Sequence, residues 1–209
     1  MQFPRLSLEH SVCKPLFERA RHPFEVLPCI HSFILLFSQS EQAKGYCEIH
    51  PLVFAHRSVN ISPSVVIEGP AIIGENTILR PNAYLRQDVV IGKNCVIGNS
   101  TEIKNSILFD NVEVPHFNYI GDSLIGYDAH FGAGGITSNF KQDGSEIVLK
   151  EGEKRLPTGL RKMGAIVGDY AEIGCNVVLN PGSVIGNEAR IYPLLSIRGF
   201  VDEKTIVKG

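Results

Sequence analysis

The chain has 209 residues, 44% of them hydrophobic, with a formal net charge of −2 and five cysteines. That length can bury a sizeable core, and the near-neutral charge without a basic run argues against nucleic acid or an anionic membrane surface as the main partner. The longest apolar run, Phe33 to Phe37, is far too short to span a bilayer. No secretory leader is recognisable. Cys13, Cys29, Cys47, Cys95 and Cys175 form no CxxC pair, so neither a disulfide framework nor a zinc knuckle is expected and a reducing cytoplasm is the expected setting.

Residues 1–48 stand apart from the rest of the chain. Val26, Leu27, Ile30, Phe33, Ile34 and Phe37 fall at helical spacing and predict an amphipathic helix after Pro23. A shorter helix, interrupted at Pro15, is expected over 11–20. The plainest role for this segment is a cap on an open end of the repeat domain or a contact between subunits.

Residues 49–209 carry a six-residue period. Ile61, Ile67, Ile73, Leu79, Leu85, Ile91, Ile97, Ile103 and Phe109 are large, apolar and six apart, each preceded two positions earlier by an apolar or small residue. The same register returns at Val167, Ile173, Leu179, Ile185, Ile191 and Ile197. A hexapeptide period is the signature of a parallel β-helix, in which three short strands make one triangular coil. Coils then stack at a strand spacing of roughly 4.8 Å. The register breaks near Pro115 and His116 and resumes at Ile120, Ile125 and Phe131. Residues 139–163 match no hexapeptide and predict an excursion, a hairpin with Ile147–Leu149 as its apolar strand. Gly74, Gly92, Gly98, Gly168, Gly174 and Gly186 come directly after inward residues, where a tight corner is expected to need backbone freedom.

Three outward residues carry charge after the inward position: Arg80, Arg86 and Lys104. Arg86 and Lys104 are eighteen apart, one coil, and so belong on one face in successive strands. Two cations that close repel by about 1 kcal/mol in water; a bound phosphate would relieve them, and so would splaying into solvent. His116 at the register break is a candidate general base, or a histidine filling a corner. Lys104 and His116 are expected on neighbouring faces across a corner, so that a substrate touching both straddles that corner or lies between subunits. The stretch Gly132–Asn139 (GAGGITSN) brings small residues that let a ligand approach backbone N–H groups. It fits neither dinucleotide nor P-loop fingerprints.

The segments RQDVVIGKNCVIGNSTEIKNS, PHFNYIGDSLIG, HFGAGGITSN and RKMGAIVGDYAEIGCNVVLNPGSVIG together resemble the acetyltransferase half of the bifunctional N-acetylglucosamine-1-phosphate uridylyltransferase/glucosamine-1-phosphate N-acetyltransferase, most of all its sugar-phosphate nucleotidyltransferase-like branch. The resemblance covers about residues 50–205. It implies a left-handed parallel β-helix, a homotrimer with active sites between subunits, and acetyl-CoA as co-substrate with no metal in the transfer. It implies transfer of acetyl to the amine of an amino-sugar phosphate, glucosamine 1-phosphate above all, in the making of UDP-N-acetylglucosamine and cell-envelope sugars.

By the same resemblance His116 falls on the base. Arg86, Lys104, Tyr119, His130 and Lys162 fall on sugar-phosphate contacts, and Ala133, Asn139, Phe140, Cys175 and Pro193 on coenzyme contacts. The chain departs from the pattern at His130, where the family has asparagine, and at Phe140, where it has tyrosine. The Gly-rich nucleotidyltransferase domain and the C-terminal arm have no counterpart, so uridylyl transfer is not expected. A non-catalytic sugar-nucleotide sensor or oligomerisation module is the rival reading. A zinc enzyme of β-helical carbonic anhydrase type is disfavoured, since His50, His56, His116 and His130 contain no HxxxxH pair.

Overall fold

The computed structural model describes residues 1–209. From residue 53 onward the chain winds as a parallel β-helix with three sheet faces. The first face takes strands beginning Val53–His56, Ala71–Ile73 and Val89–Ile91; the second begins with Asn60–Ile61 and Ile78–Leu79; the third with Val66–Ile67 and Tyr84–Leu85. The third face has seven strands, so seven coils are complete. Each residue pairs with one about eighteen positions on, as in Ile73 with Ile91 or Leu85 with Ile103. One antiparallel strand, Tyr46–His50, pairs with Val53–His56 and covers the starting edge of the first face.

The interior is a stack of the expected residues, among them Leu79, Leu85, Ile91, Ile97, Ile103, Val167, Ile173 and Leu179, all essentially without solvent contact. Threonines in the small inward positions satisfy their hydroxyls on the neighbouring coil: Thr77 donates to the Gly92 carbonyl at 2.8 Å and Thr101 to that of Val114 at 3.1 Å.

The corners reveal where the period shortens. Asn76, Asn82, Asp88, Asn94 and Ser100 are six apart and all left-handed, with φ between 53° and 63°. Asn and Asp tolerate that region best after glycine. The next corner residue is Asn105, five on, and after Asn111 and Phe117 comes Asp122, again five on. The first short step is therefore at Asn105, ten residues before the expected break at Pro115. It turns Leu108 inward, and Phe109, expected inside, packs outside together with Ile107. The corner glycines are also explained differently. Gly74, Gly92 and Gly98 have no left-handed φ; a Cβ on Gly74 would stand 2.4 Å from the Gly92 backbone, and one on Gly98 1.5 Å from the Pro115 carbonyl oxygen. They are glycines because the next coil is too close.

The helical part of the N-terminal segment lies away from the ends of the β-helix, whose starting edge is covered by Tyr46–His50. The segment runs along the first face, against the direction in which the coils advance. Phe3 meets Phe200 at a tilt, the Asn187 amide donates to the Arg5 carbonyl, His10 stacks on Tyr127, and Phe37 meets Phe54. The helix read as continuous is a 3-10 turn, Pro23–Cys29, followed by an α-helix, Ile30–Phe37; Pro28 withholds the N–H that a longer helix needs. Pro15 opens the short helix Lys14–Phe17 rather than interrupting it. Val26, Leu27, Ile30, Ile34 and Phe37 share one buried cluster with the outward row Phe54, Ile72, Val90, Ile107, Leu124, Ile166 and Val184. Each such side chain removed from water contributes about 1.5–3 kcal/mol. The excursion forms a hairpin, Val148–Glu151 with Lys154–Pro157, whose Ile147 and Leu149 join the same cluster.

Burial separates the cysteines. Desolvation pushes the Cys13 thiol far up and that of Cys95 to about 12, so neither holds thiolate at pH 8. Iodoacetamide at that pH is expected to alkylate the three exposed cysteines, Cys29, Cys47 and Cys175, and all five only after denaturation. Mass spectrometry of adduct number checks this; rapid loss of Cys95 in native protein would contradict the packing.

Candidate functional site

The sequence-predicted residues, His130 apart, fall into two groups on opposite edges of the third face. The first group occupies the corner between the third and first faces. Arg86 follows strand Tyr84–Leu85 and Lys104 ends strand Glu102–Lys104, one coil on, which fulfils the spacing argument. The two cations are not left facing each other. Arg86 Nη1 meets Glu102 Oε1 at 3.0 Å, and Lys104 Nζ meets Asp122 Oδ1 at 3.4 Å. The partly exposed Arg86 pair contributes at most about 1 kcal/mol; Asp122 is buried and organises its surroundings.

Asp122 takes a hydrogen bond from the Asn105 amide at 2.8 Å and another from the Asn139 amide, which also donates to the Tyr119 hydroxyl at 3.2 Å. Burial first, then the Asp122 and Glu102 carboxylates, raises the Tyr119 phenol above its ordinary value, so it stays protonated. Phe140 and Lys162 face each other across a single bridge at the base of the hairpin excursion, and the Met163 N–H donates to the Asn139 carbonyl. Lys162 makes no ion pair. Arg86, Lys104, Tyr119, Asn139, Phe140 and Lys162 thus share this edge. Sequence reasoning missed Asp122, Glu102 and Asn105. Asp122 lies one coil beyond Lys104 in sequence, the signal that would have found it.

The second group forms a column on the corner between the second and third faces. His116 ends strand Glu113–His116, and its carbonyl accepts from the Gly134 N–H. The Ala133 carbonyl accepts from Asn176, and the Cys175 carbonyl from Leu194, so His116, Ala133, Cys175 and Pro193 stand over one another in successive coils. The turn after His116 is held by buried Asn118, which accepts from the His116 N–H at 3.0 Å and donates to the Gly132 carbonyl at 2.8 Å. The His116 ring itself is exposed and has no hydrogen-bond partner in the chain. The N–H groups of Ala133 and Cys175 likewise donate to nothing within the chain, leaving two backbone donors along the column. Phe117 in this turn is left-handed at φ 51° and 64% exposed, an uncommon state for a large apolar residue.

His130 belongs to neither group. It lies outward on the second face between Glu113 and Glu172, with Nδ1 at 3.1 Å from Glu172 Oε2. Nor does a single chain bring His116 to Lys104. The strand Tyr119–Gly121 runs between them, and at about 3.3 Å per residue it separates the two corners by roughly 10 Å. They sit on two edges of one face rather than across one corner. No group of three His, Cys, Asp or Glu side chains is placed to hold a metal ion.

Residues 67–151 match the family model described as the GMPPB C-terminal domain. A bifunctional sugar-1-phosphate nucleotidylyltransferase/acetyltransferase from Sulfurisphaera tokodaii is 41% identical over 88 residues, 42% of this chain and 22% of that protein. The bifunctional protein GlmU of Methanocaldococcus jannaschii is 36% identical over 102 residues, 49% of this chain and 25% of that protein. The chain matches about a quarter of the length of these relatives. Among solved structures, AntD, an N-acyltransferase from Bacillus cereus in complex with dTDP and 3-hydroxybutyryl-CoA, is 17% identical, covers 72% of this chain and 74% of its own, and superposes with a TM-score of 0.41. The motif resemblance therefore stands in the sequence comparisons: the β-helical part of this chain is similar to the acetyltransferase half of bifunctional sugar-1-phosphate nucleotidylyltransferase/acetyltransferases.

Proposed function

We propose that the protein is an acetyl-CoA-dependent N-acetyltransferase acting on an amino-sugar phosphate, glucosamine 1-phosphate first among them, in the supply of UDP-N-acetylglucosamine for cell-envelope sugars. The observation that supports it most is the column of His116, Ala133, Cys175 and Pro193 with its two free backbone donors. A coenzyme lying along this corner presents its thioester beside His116. The imidazole takes a proton from the sugar amine as the nitrogen attacks the thioester carbonyl. The Ala133 N–H holds the oxygen as it becomes negative; the carbon–sulfur bond then breaks, and the imidazolium returns its proton to the sulfur so that the coenzyme leaves as its thiol. Arg86, Lys104 and Tyr119 orient the sugar phosphate, which turns binding energy into proximity.

Because those groups occupy the other edge of the third face, the working site is completed between copies of the chain in a homotrimer, where one subunit's His116 column faces the next subunit's Lys104 edge. Purified protein given acetyl-CoA and a panel of amino-sugar phosphates tests the reading by thiol release. The rival, a non-catalytic sugar-nucleotide sensor or oligomerisation module, draws on the carboxylates already paired with Arg86 and Lys104, and it expects no thiol release.

Arg86→Ala and Lys104→Ala are each expected to weaken sugar-phosphate binding by about 1.5–3 kcal/mol, the range for a hydrogen bond to a charged group. Calorimetric titration reads it directly. Unchanged affinity in both variants would return these cations to a purely structural role with Glu102 and Asp122.

A further inference from the structure

A cleft of about 280 Å³ opens beside Lys104, at the corner between the third and first faces. Two successive coils line it with Gln87, Asp88, Lys104 and Asn105, and the N-terminal segment closes it with Pro28 and His31. The segment is seated there because Leu27, Ile30 and Ile34 are buried on the first face, which sets His31 at that face's edge. His31 lies outside residues 67–151, the stretch that matches the family model.

The ring is oriented. His31 Nδ1 stands 2.7 Å from Asp88 Oδ1, and Asp88 is itself fixed in a corner at φ 63°. A carboxylate there accepts from Nδ1–H, which leaves the second nitrogen, Nε2, with its lone pair free in the neutral ring. Such a nitrogen takes a hydrogen bond from a hydroxyl and gains nothing from a phosphate oxygen. Lys104 Nζ supplies the complementary donor on the same cleft.

We propose that His31 contacts the acceptor: Nε2 receives a hydrogen bond from a ring hydroxyl of the amino-sugar phosphate whose phosphate lies on Lys104. This rests on the proposed function of the Lys104 edge and adds a specificity-determining residue from the N-terminal segment. Asp88 acts through His31 as a positioning residue.

Calorimetric titration with two probes, glucosamine 1-phosphate and inorganic phosphate, tests it on wild type and on His31→Ala, Asp88→Asn and Lys104→Ala. A lost neutral hydrogen bond is worth about 3–10-fold in affinity, so His31→Ala weakens the sugar phosphate by that factor and leaves inorganic phosphate unchanged. Asp88→Asn, which keeps a residue suited to the left-handed corner, shifts in the same direction. Lys104→Ala weakens both probes. If Lys104→Ala weakens both while His31→Ala and Asp88→Asn match wild type, His31 is no contact and the proposed function stands. If His31→Ala weakens the two probes equally, the hydroxyl contact is wrong. If wild type binds neither probe, the proposed function fails and this assignment falls with it.

Discussion

His116→Ala is expected to lower the rate of acetyl transfer by about 10²–10⁴-fold, the usual contribution of a positioned general base. The KM for acetyl-CoA should hardly move, since the proposed coenzyme contacts of its column, Ala133, Cys175 and Pro193, are left in place. The ring is exposed and bonds to nothing in the chain, so its removal costs little stability. A parallel melting curve should therefore superpose on wild type and separate a chemical from a structural loss. The proposed trimer adds a second arm. His116→Ala and the Arg86→Ala/Lys104→Ala double variant damage opposite edges of the third face, so co-refolding the two restores some sites in which both edges are intact. Activity in that mixture no greater than the sum of its parts would remove the shared site, and full activity in His116→Ala would remove the base.

Gly98→Ala is expected to be the most damaging small substitution. The added Cβ falls 1.5 Å from the Pro115 carbonyl oxygen and 1.8 Å from its carbon. These are backbone atoms of the next coil, and they cannot rotate away as a side chain could. Relief requires moving the strand Glu113–His116, which is held to its neighbour at Val96, Ile97 and Asn99. Overpacking typically costs 1–3 kcal/mol, and a clash with fixed backbone belongs at the upper end, about 3 kcal/mol. For a chain of this size that lowers Tm by roughly 6–12 °C. Gly159→Ala is the contrast: nothing lies within 4 Å of its Cβ, and only its φ of 73° is strained, which costs about 1–2 kcal/mol. Calorimetry on the two variants decides. Equal melting points would mean that the next coil yields to the added Cβ and that coil contact is not what selects Gly98.

The sequence made the β-helix legible because one inward side chain every six residues is a periodicity no other element shares. It hid the exact step at Asn105, since Ile107, Leu108 and Phe109 are all apolar and any of them could have filled the interior. The choice is made outside the coil, where the N-terminal segment covers Ile107 and Phe109 and leaves Leu108 for the core. The position of that segment was encoded too. Phe54, Ile72, Val90, Ile107, Leu124 and Val184 give the first face an apolar outer row, a pattern that repeats once per coil, every seventeen or eighteen residues up to Leu124, rather than every six. At the candidate site, spacing placed Arg86 and Lys104 together. It could not show that Glu102 and Asp122 engage them, because whether a carboxylate turns toward a cation depends on side-chain rotamers and not on register.

The path of the N-terminal segment bears on how the chain is made. Stacked-coil proteins gain stability from nearest neighbours and can fold by adding one repeat at a time. Here residues synthesised early rest on coils synthesised late: the Ser7 N–H donates to Asp169, and Phe3 meets Phe200. Phe24, Ile30, Ile34 and Phe37 therefore emerge from the ribosome well before the surface that buries them is complete. Loop closure across more than 160 residues, as between Ser7 and Asp169, slows folding and leaves an apolar strip open to aggregation meanwhile. Once closed, the same clasp ties the first coil to the last, so that the repeats unfold together instead of fraying from either end.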